Sequence, residues 1–203
     1  MGTSKGIVLI FNHIFTRIQK FGSSKEREYG AVISMDISIK EENVVSVYEN
    51  GKIVLWSMAK NERMKVIDPP EKGSVINVKF YRDVSEHFLL STSSGTVYLY
   101  KAESIFFQWK VDKKPLNLKD ETARDIHPNL PSGFFNIQIF PKIHMKIPKL
   151  TTVAFASMKE IIVVVLEPFS VLYRSKRPVG LRDIVIPCIS WGKGAVPGKF
   201  GLV

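Results

Sequence analysis

Hydrophobic and polar residues alternate one for one in two windows of this chain, and the windows superimpose at a fixed spacing. Ile33, Met35, Ile37 and Ile39 alternate with Ser34, Asp36 and Ser38; Ile76, Val78 and Phe80 alternate with Asn77 and Lys79. A period of two predicts half-buried strands. Ile33 to Ile76, Met35 to Val78 and Ile37 to Phe80 are each 43 residues. Both windows are therefore expected to bury their apolar side between neighbouring sheets. Downstream of each lies a second strand-sized run, Val44-Val45-Ser46-Val47 and Phe88-Leu89-Leu90-Ser91, offset by 44.

A third phrase, glycine followed by β-prone residues and an aromatic, completes the unit. It reads Ser4-Lys5-Gly6-Ile7-Val8-Leu9-Ile10-Phe11, then Glu49-Asn50-Gly51-Lys52-Ile53-Val54-Leu55-Trp56, then Ser93-Ser94-Gly95-Thr96-Val97-Tyr98-Leu99-Tyr100. Each glycine falls where antiparallel strands must reverse, and Asn50-Gly51 is the dipeptide of a type I′ hairpin turn. Three strand segments recurring in one order with a period near 44 residues match a four-stranded blade of the WD-repeat type. The expected fold is all-β: a partial WD-repeat-like β-propeller.

The pattern breaks after residue 102. Residues 103–150 carry Pro115, Pro128, Pro131, Pro141 and Pro148 and are expected to be an irregular, loop-rich insertion swelling one blade, with Phe134 to Phe140 as its best strand. The pattern returns at Thr152 to Leu166, where Ser157-Met158-Lys159-Glu160-Ile161-Ile162-Val163-Val164-Val165 resembles the glycine phrase without its glycine. Val171-Leu172-Tyr173 and Ile189-Ser190-Trp191 follow as strands, and a last strand starts at Phe200. At about 44 residues per blade, 203 residues make four to five blades, whereas WD-type rings usually close with seven. Residues 1–203 are thus expected to form one incomplete propeller domain, a piece of a larger protein.

Composition narrows the class. The longest apolar run, Ile161 to Leu166, has six residues, against roughly 20 for a helix crossing a bilayer, so any membrane association is expected to be peripheral. Cys188 is the single cysteine and no Asn-x-Ser/Thr acceptor occurs, which fits a reducing cytoplasm. The alternation Cys188, Ile189, Ser190, Trp191 reads as a strand carrying a buried structural thiol. Met1-Gly2 lacks the Ser or Thr that a myristoylation signal needs at the sixth residue; that position is Gly6.

No catalytic set assembles. His13, His87, His127 and His144 are scattered with no i, i+4 pair and no partner cysteine, which argues against zinc. Gly192-Lys193-Gly194-Ala195-Val196-Pro197-Gly198-Lys199-Phe200 has five residues between Gly192 and Gly198, and Phe200 stands where a phosphate loop needs Ser or Thr. A flexible loop is the better reading. The expectation is no enzyme, no cofactor and no metal.

The formal charge of +10 does carry functional weight. Cations cluster at Lys110, Lys113 and Lys114, at Lys142, Lys146 and Lys149, and at Arg174, Lys176 and Arg177. Such fields attract acidic proteins, anionic headgroups or nucleic acid. Nucleic acid also needs aromatic stacking platforms on an exposed basic face, and the aromatics Phe11, Trp56, Phe80 and Tyr100 fall at core positions, which disfavours it. Arg174, Lys176 and Arg177, three cations in four residues before Pro178, are expected to sit in an exposed inter-strand turn and to be the partner-binding residues.

Several phrases resemble one family. Gly2-Thr3-Ser4-Lys5-Gly6-Ile7-Val8-Leu9-Ile10-Phe11, Asp68-Pro69-Pro70 followed by Gly73 and Ile76-Asn77-Val78-Lys79-Phe80, Ser94-Gly95-Thr96-Val97, and Met158-Lys159-Glu160-Ile161-Ile162-Val163-Val164-Val165-Leu166-Glu167-Pro168 resemble, in order, the propeller of the vacuolar protein sorting-associated protein eight family. That family supplies a subunit of the CORVET endosomal tethering complex. The resemblance runs from residue 2 to about 191, with 103–150 poorly matched; the family's α-solenoid and zinc-binding RING module have no counterpart here. It implies a non-catalytic scaffold in endosomal vesicle tethering and fusion and in endosome-to-vacuole or lysosome sorting. Implied partners are an endosomal Rab GTPase and other tethering subunits, at the cytoplasmic surface of endosomes. The alternative is a WD-repeat-like adaptor in another process, including RNA handling, for which the basic charge would be the operative feature.

Overall fold

The computed structural model describes residues 1–38, 40–70, 73–81, 87–106, 108–119, 129–140, 150–177, 188–193 and 200–202. The repeating phrases fold into antiparallel meanders. β3 (Val32–Ile37), β4 (Asn43–Tyr48), β5 (Ile53–Ser57) and β6 (Glu62–Ile67) form one four-stranded sheet in chain order. A second comprises β7 (Val75–Phe80), β8 (His87–Thr92), β9 (Val97–Ile105) and β10 (Gln108–Leu116). A third comprises β11 (Phe134–Ile139), β12 (Thr152–Ser157), β13 (Glu160–Leu166) and β14 (Phe169–Lys176). Two-stranded pairs flank them: β1 (Val8–Phe11) with β2 (Arg17–Phe21), and β15 (Trp191–Lys193) with β16 (Phe200–Leu202). A four-residue helix, α1 (Ser24–Arg27), links β2 to β3.

The core is a series of layers, each between one sheet and the next. β4 and β5 are buried on both faces. Val45, Val47, Ile53 and Leu55 pack forward against Val78, Phe80, Phe88 and Leu90 of the second sheet. Val44, Tyr48, Val54 and Trp56 pack backward against Val8, Ile10 and Phe21. Leu89, Val97 and Leu99 meet Ile137, Phe155 and Val164 in the next layer, and Ala154, Ala156 and Val163 meet Ile189 beyond it. Stacking each sheet face to face on the next makes a propeller arc.

The three glycine turns are built alike, though not as the expected type I′. The Gly51 N–H donates to the Tyr48 carbonyl (2.8 Å) and the Tyr48 N–H to the Lys52 carbonyl (2.9 Å). Thr92, Gly95 and Thr96 repeat this pattern, as do Thr3, Gly6 and Ile7. Only the glycine takes positive φ, +69° at Gly6, +84° at Gly51 and +81° at Gly95. This is a type I turn closed by a bulge glycine, the three-residue hairpin loop. In the third sheet Ser157 replaces the device: its Oγ accepts from the N–H groups of Lys159 (3.2 Å) and Glu160 (3.1 Å).

A second correction concerns Ile33 and Ile76. Register slips between Val32 and Ser34, between Val75 and Asn77, and between Phe134 and Asn136. A bulge leaves one residue unpaired and turns it out of phase. Ile33 is thereby 45% exposed, and Ile76 is only half-buried. Met35 and Ile37 are half-buried against the first layer, while Val78 and Phe80 are buried as expected.

The irregular reading of 103–150 also changes. β9 runs to Ile105, and Gln108–Leu116 pairs along it through nine consecutive positions, so this stretch supplies the outer strand of the second blade. Phe134–Ile139 is a strand, as expected, and opens the third blade.

Candidate interaction surface

The polar half of each alternating window is largely turned to the neighbouring blade, with Lys79 partly solvated. β3 lies beside β7, and its side chains clip the next strand's backbone. Ser34 Oγ accepts from the Val78 N–H (3.1 Å), Asp36 Oδ2 from the Phe80 N–H (2.9 Å), and Asp36 Oδ1 from Lys79 Nζ (2.9 Å). One blade on, Asn77 Nδ2 donates to the Phe135 carbonyl and Ser91 Oγ to the Phe134 carbonyl, both at 2.7 Å. Trp191 Nε1 donates to the Gln138 carbonyl at 3.3 Å. Buried backbone groups need such partners, so these residues join blades and are not offered to a ligand.

Other charged groups are committed likewise. Glu26 is buried at the first blade junction, where its Oε2 accepts from the Ser23 N–H (2.7 Å) and hydroxyl (2.6 Å) and its Oε1 from Arg63 (2.6 Å). Burial pushes its carboxyl up, but the Ser23 and Arg63 hydrogen bonds outweigh that and hold it below the usual carboxylate range. Lys52 pairs with Asp68 on the surface. Burial also pushes the hydroxyls of Tyr48 and Tyr100 up to about 12. Among the described residues no group of three or more His, Cys, Asp or Glu is placed to hold a metal ion.

Arg174, Lys176 and Arg177 do not occupy an exposed turn. Arg174 and Lys176 lie on β14 itself, the outer edge of the third sheet. The Arg174 side chain is only 17% exposed; it pairs with Glu160 and donates to the Leu118 carbonyl. Arg177 is half-buried, with its N–H donating to the Lys159 carbonyl at 2.7 Å. Lys176 is the exposed member. Hairpin register explains the difference: Ile162 pairs with Arg174 and Glu160 with Lys176, which sets Glu160 diagonal to Arg174, within reach for long side chains.

Cys188 is also corrected. It is exposed, because the strand starts later, at Trp191, and Ile189 takes the inward position beside it. Ile39, His127, His144, the cluster Lys142, Lys146 and Lys149, and most of the Gly192–Phe200 segment lie outside the described residues.

The exposed surface features that the sequence reading passed over are apolar. β14 presents Phe169, Val171, Leu172 and Tyr173, between 41% and 59% exposed, with Lys176 at its end. The other outer strands present charge instead: Glu62 and Arg63 on β6, and Lys110, Asp112, Lys113 and Lys114 on β10. Turn tips add Ile14, Phe15, Ile105 and Phe106. An apolar strip bordered by cations is suited to holding another macromolecule. No helix among the described residues is long and apolar enough to cross a membrane.

Comparison with known proteins fits this geometry. The β-propeller domain of Myceliophteria thermophila Cps50 (Swd1) superimposes with a TM-score of 0.62 at 12% identity, over 95% of this chain and 54% of that one. The likeness is one of fold, and the chain spans about half the length of the solved propeller it matches. No curated protein matches the chain. The family model described as the Vps8 β-propeller matches residues 1–200, and the chain therefore belongs to the Vps8 β-propeller family.

Proposed function

We propose that this chain is a non-catalytic scaffold of endosomal vesicle tethering, serving fusion and endosome-to-vacuole or lysosome sorting from the cytoplasmic face of endosomes. The observation that carries the reading is the Vps8 β-propeller match over residues 1–200. The surface is consistent with it: the polar groups described at the blade junctions are internally paired, and the β14 edge exposes an apolar row ending in Lys176. The proposed partners are an endosomal Rab GTPase in its active state and the other subunits of a tethering complex.

The β14 strip is the proposed contact for such partners. Lys176 and the row Phe169, Val171, Leu172 and Tyr173 would meet the partner directly, with Arg177 beside them. Arg174 would act by holding β14 through Glu160. Affinity purification of the full-length protein tests the reading. Co-purification of tethering subunits is expected, with loss when Lys176→Glu and Tyr173→Asp are combined. Recovery without any tethering subunit would overturn it.

A further inference from the structure

The β3–β4 and β5–β6 turns place Glu41 and Asn61 at positive φ, but the β1–β2 turn does so with a bulky apolar residue, which points to a ligand. Asn12 to Thr16 repeats the bulge turn bond for bond: the Asn12 N–H donates to the Thr16 carbonyl and the Phe15 N–H to the Asn12 carbonyl, both at 3.0 Å. The left-handed position that glycine fills at Gly6, Gly51 and Gly95 here holds Phe15, at φ +59°. Asn12 Oδ1 braces the loop by accepting from the N–H groups of Ile14 (3.1 Å) and Thr16 (2.9 Å). Phe15 is 86% exposed and Ile14 66%. A bulky residue in this conformation is strained, and the structure shows no internal packing that repays it.

An exposed aromatic with positive φ occurs again two blades away, in a shorter turn. In the turn joining β9 to β10, Phe106 sits at φ +48° and 92% exposed, next to Ile105 at 44%. The β9–β10 turn joins the third strand of its blade to the fourth, and the β1–β2 turn is its counterpart in the two-stranded sheet, with β1 following Gly6 as β9 follows Gly95. Ser34 and Asp36 meet Val78 and Phe80 in ascending order, so successive blades run in the same sense and these turns emerge at one end of the arc. Gln19, just after the first turn, donates to Met58 in the turn between β5 and β6. That middle turn presents Lys60, with its side chain 74% exposed, so the two apolar tips remain separate prongs.

We propose that Ile14-Phe15 and Ile105-Phe106 are insertion points that seat this end of the propeller on an anionic phospholipid bilayer. A protein partner offers a continuous apolar core within a polar rim, which isolated prongs with a lysine between them do not match. A fluid acyl boundary accepts each prong independently. Arg17 and Lys20, exposed on β2 behind the first prong, and the net charge of +10 complement anionic headgroups. These side chains cap turns and do not lie on a sheet face that a neighbouring blade would cover. The inference does not depend on the Rab-directed reading, since it requires lipid alone.

The test is flotation of the full-length protein with vesicles of phosphatidylcholine containing phosphatidylserine, without any protein partner. Partitioning is expected, falling about ten-fold or more in the Phe15→Gly/Phe106→Gly variant, while its thermal midpoint stays level or rises. Phe15→Trp, read against the parent, is expected to shift its emission to the blue on vesicle addition. Unchanged partitioning of the glycine variant overturns the proposal. So does a variant that keeps vesicle binding but loses a protein partner, which would make the prongs a protein contact.

Discussion

Replacing Asp36 by alanine removes the carboxylate that joins the first strand of one blade to the first strand of the next. Two bonds are lost, one from the Phe80 N–H and one from Lys79, each at 2.9 Å. The first matters more. Phe80 is 2% exposed, and a hydrogen bond to a charged group contributes about 1.5–3 kcal/mol when its loss strands the donor. Lys79 is partly solvated, with its side chain 37% exposed, so the ion pair adds at most about 1 kcal/mol. Asp36→Ala should therefore cost about 2–3 kcal/mol, and Asp36→Asn, which keeps an acceptor for Phe80, under about 1 kcal/mol. Denaturant titration read by tryptophan fluorescence (Trp56, Trp109 and Trp191) gives both values, and the Phe80 amide should lose exchange protection in the alanine variant alone. Equal costs for the two variants, or a cost under about 0.5 kcal/mol for alanine, would refute the latch.

Further outcomes follow from the same geometry. Gly51→Val places Cβ 2.8 Å from Pro69 at φ +84° and should lose more than about 2 kcal/mol in chemical denaturation, whereas Phe15→Gly should gain about 1 kcal/mol. Tyr100→Phe should be neutral or stabilising by up to about 1 kcal/mol in the same assay, because the Tyr100 hydroxyl is buried with no hydrogen-bond partner among the described residues. Glu26 has a lowered pKa, so its contribution is present above the ordinary carboxylate range and is lost as pH falls through it; thermal midpoints from pH 7 to pH 3 should fall less steeply for Glu26→Gln. Arg174→Ala should cost about 1–3 kcal/mol through Glu160 and Leu118, while Lys176→Glu should stay within about 0.5 kcal/mol.

What the sequence discloses here depends on whether a position is dictated by backbone or by context. Gly6, Gly51 and Gly95 are legible because the bulge turn needs positive φ, and the 44-residue period follows from them. The third blade is fainter because a serine hydroxyl at Ser157 does the work of a glycine. β10 is faint because its apolar alternation is only two residues long, Trp109 and Val111: Lys110, Asp112, Lys113 and Lys114 face solvent, and Pro115 is tolerated where an edge strand needs no N–H. Ile33 was misplaced because a bulge, which leaves no composition signal, shifts the phase by one residue.

The interaction surface was harder to read for a related reason. A run of cations states charge but not pairing, and Glu160 neutralises Arg174 only once the β13–β14 register is known. Phe15 did leave a trace, since Asn12 to Thr16 has the length of the glycine turns, yet an aromatic in the glycine place does not look like a turn. The Vps8 β-propeller assignment rests on the family-model match over residues 1–200.

The central claim, a tethering propeller that engages an active Rab GTPase, is tested most directly by measuring binding of the full-length protein to one endosomal Rab GTPase loaded in turn with GTP and GDP. The account predicts binding at least about ten-fold tighter, or 1.4 kcal/mol, in the GTP state, weakened when Tyr173→Asp and Lys176→Glu are combined. Equal affinity for the two states, or no binding to either, would contradict it.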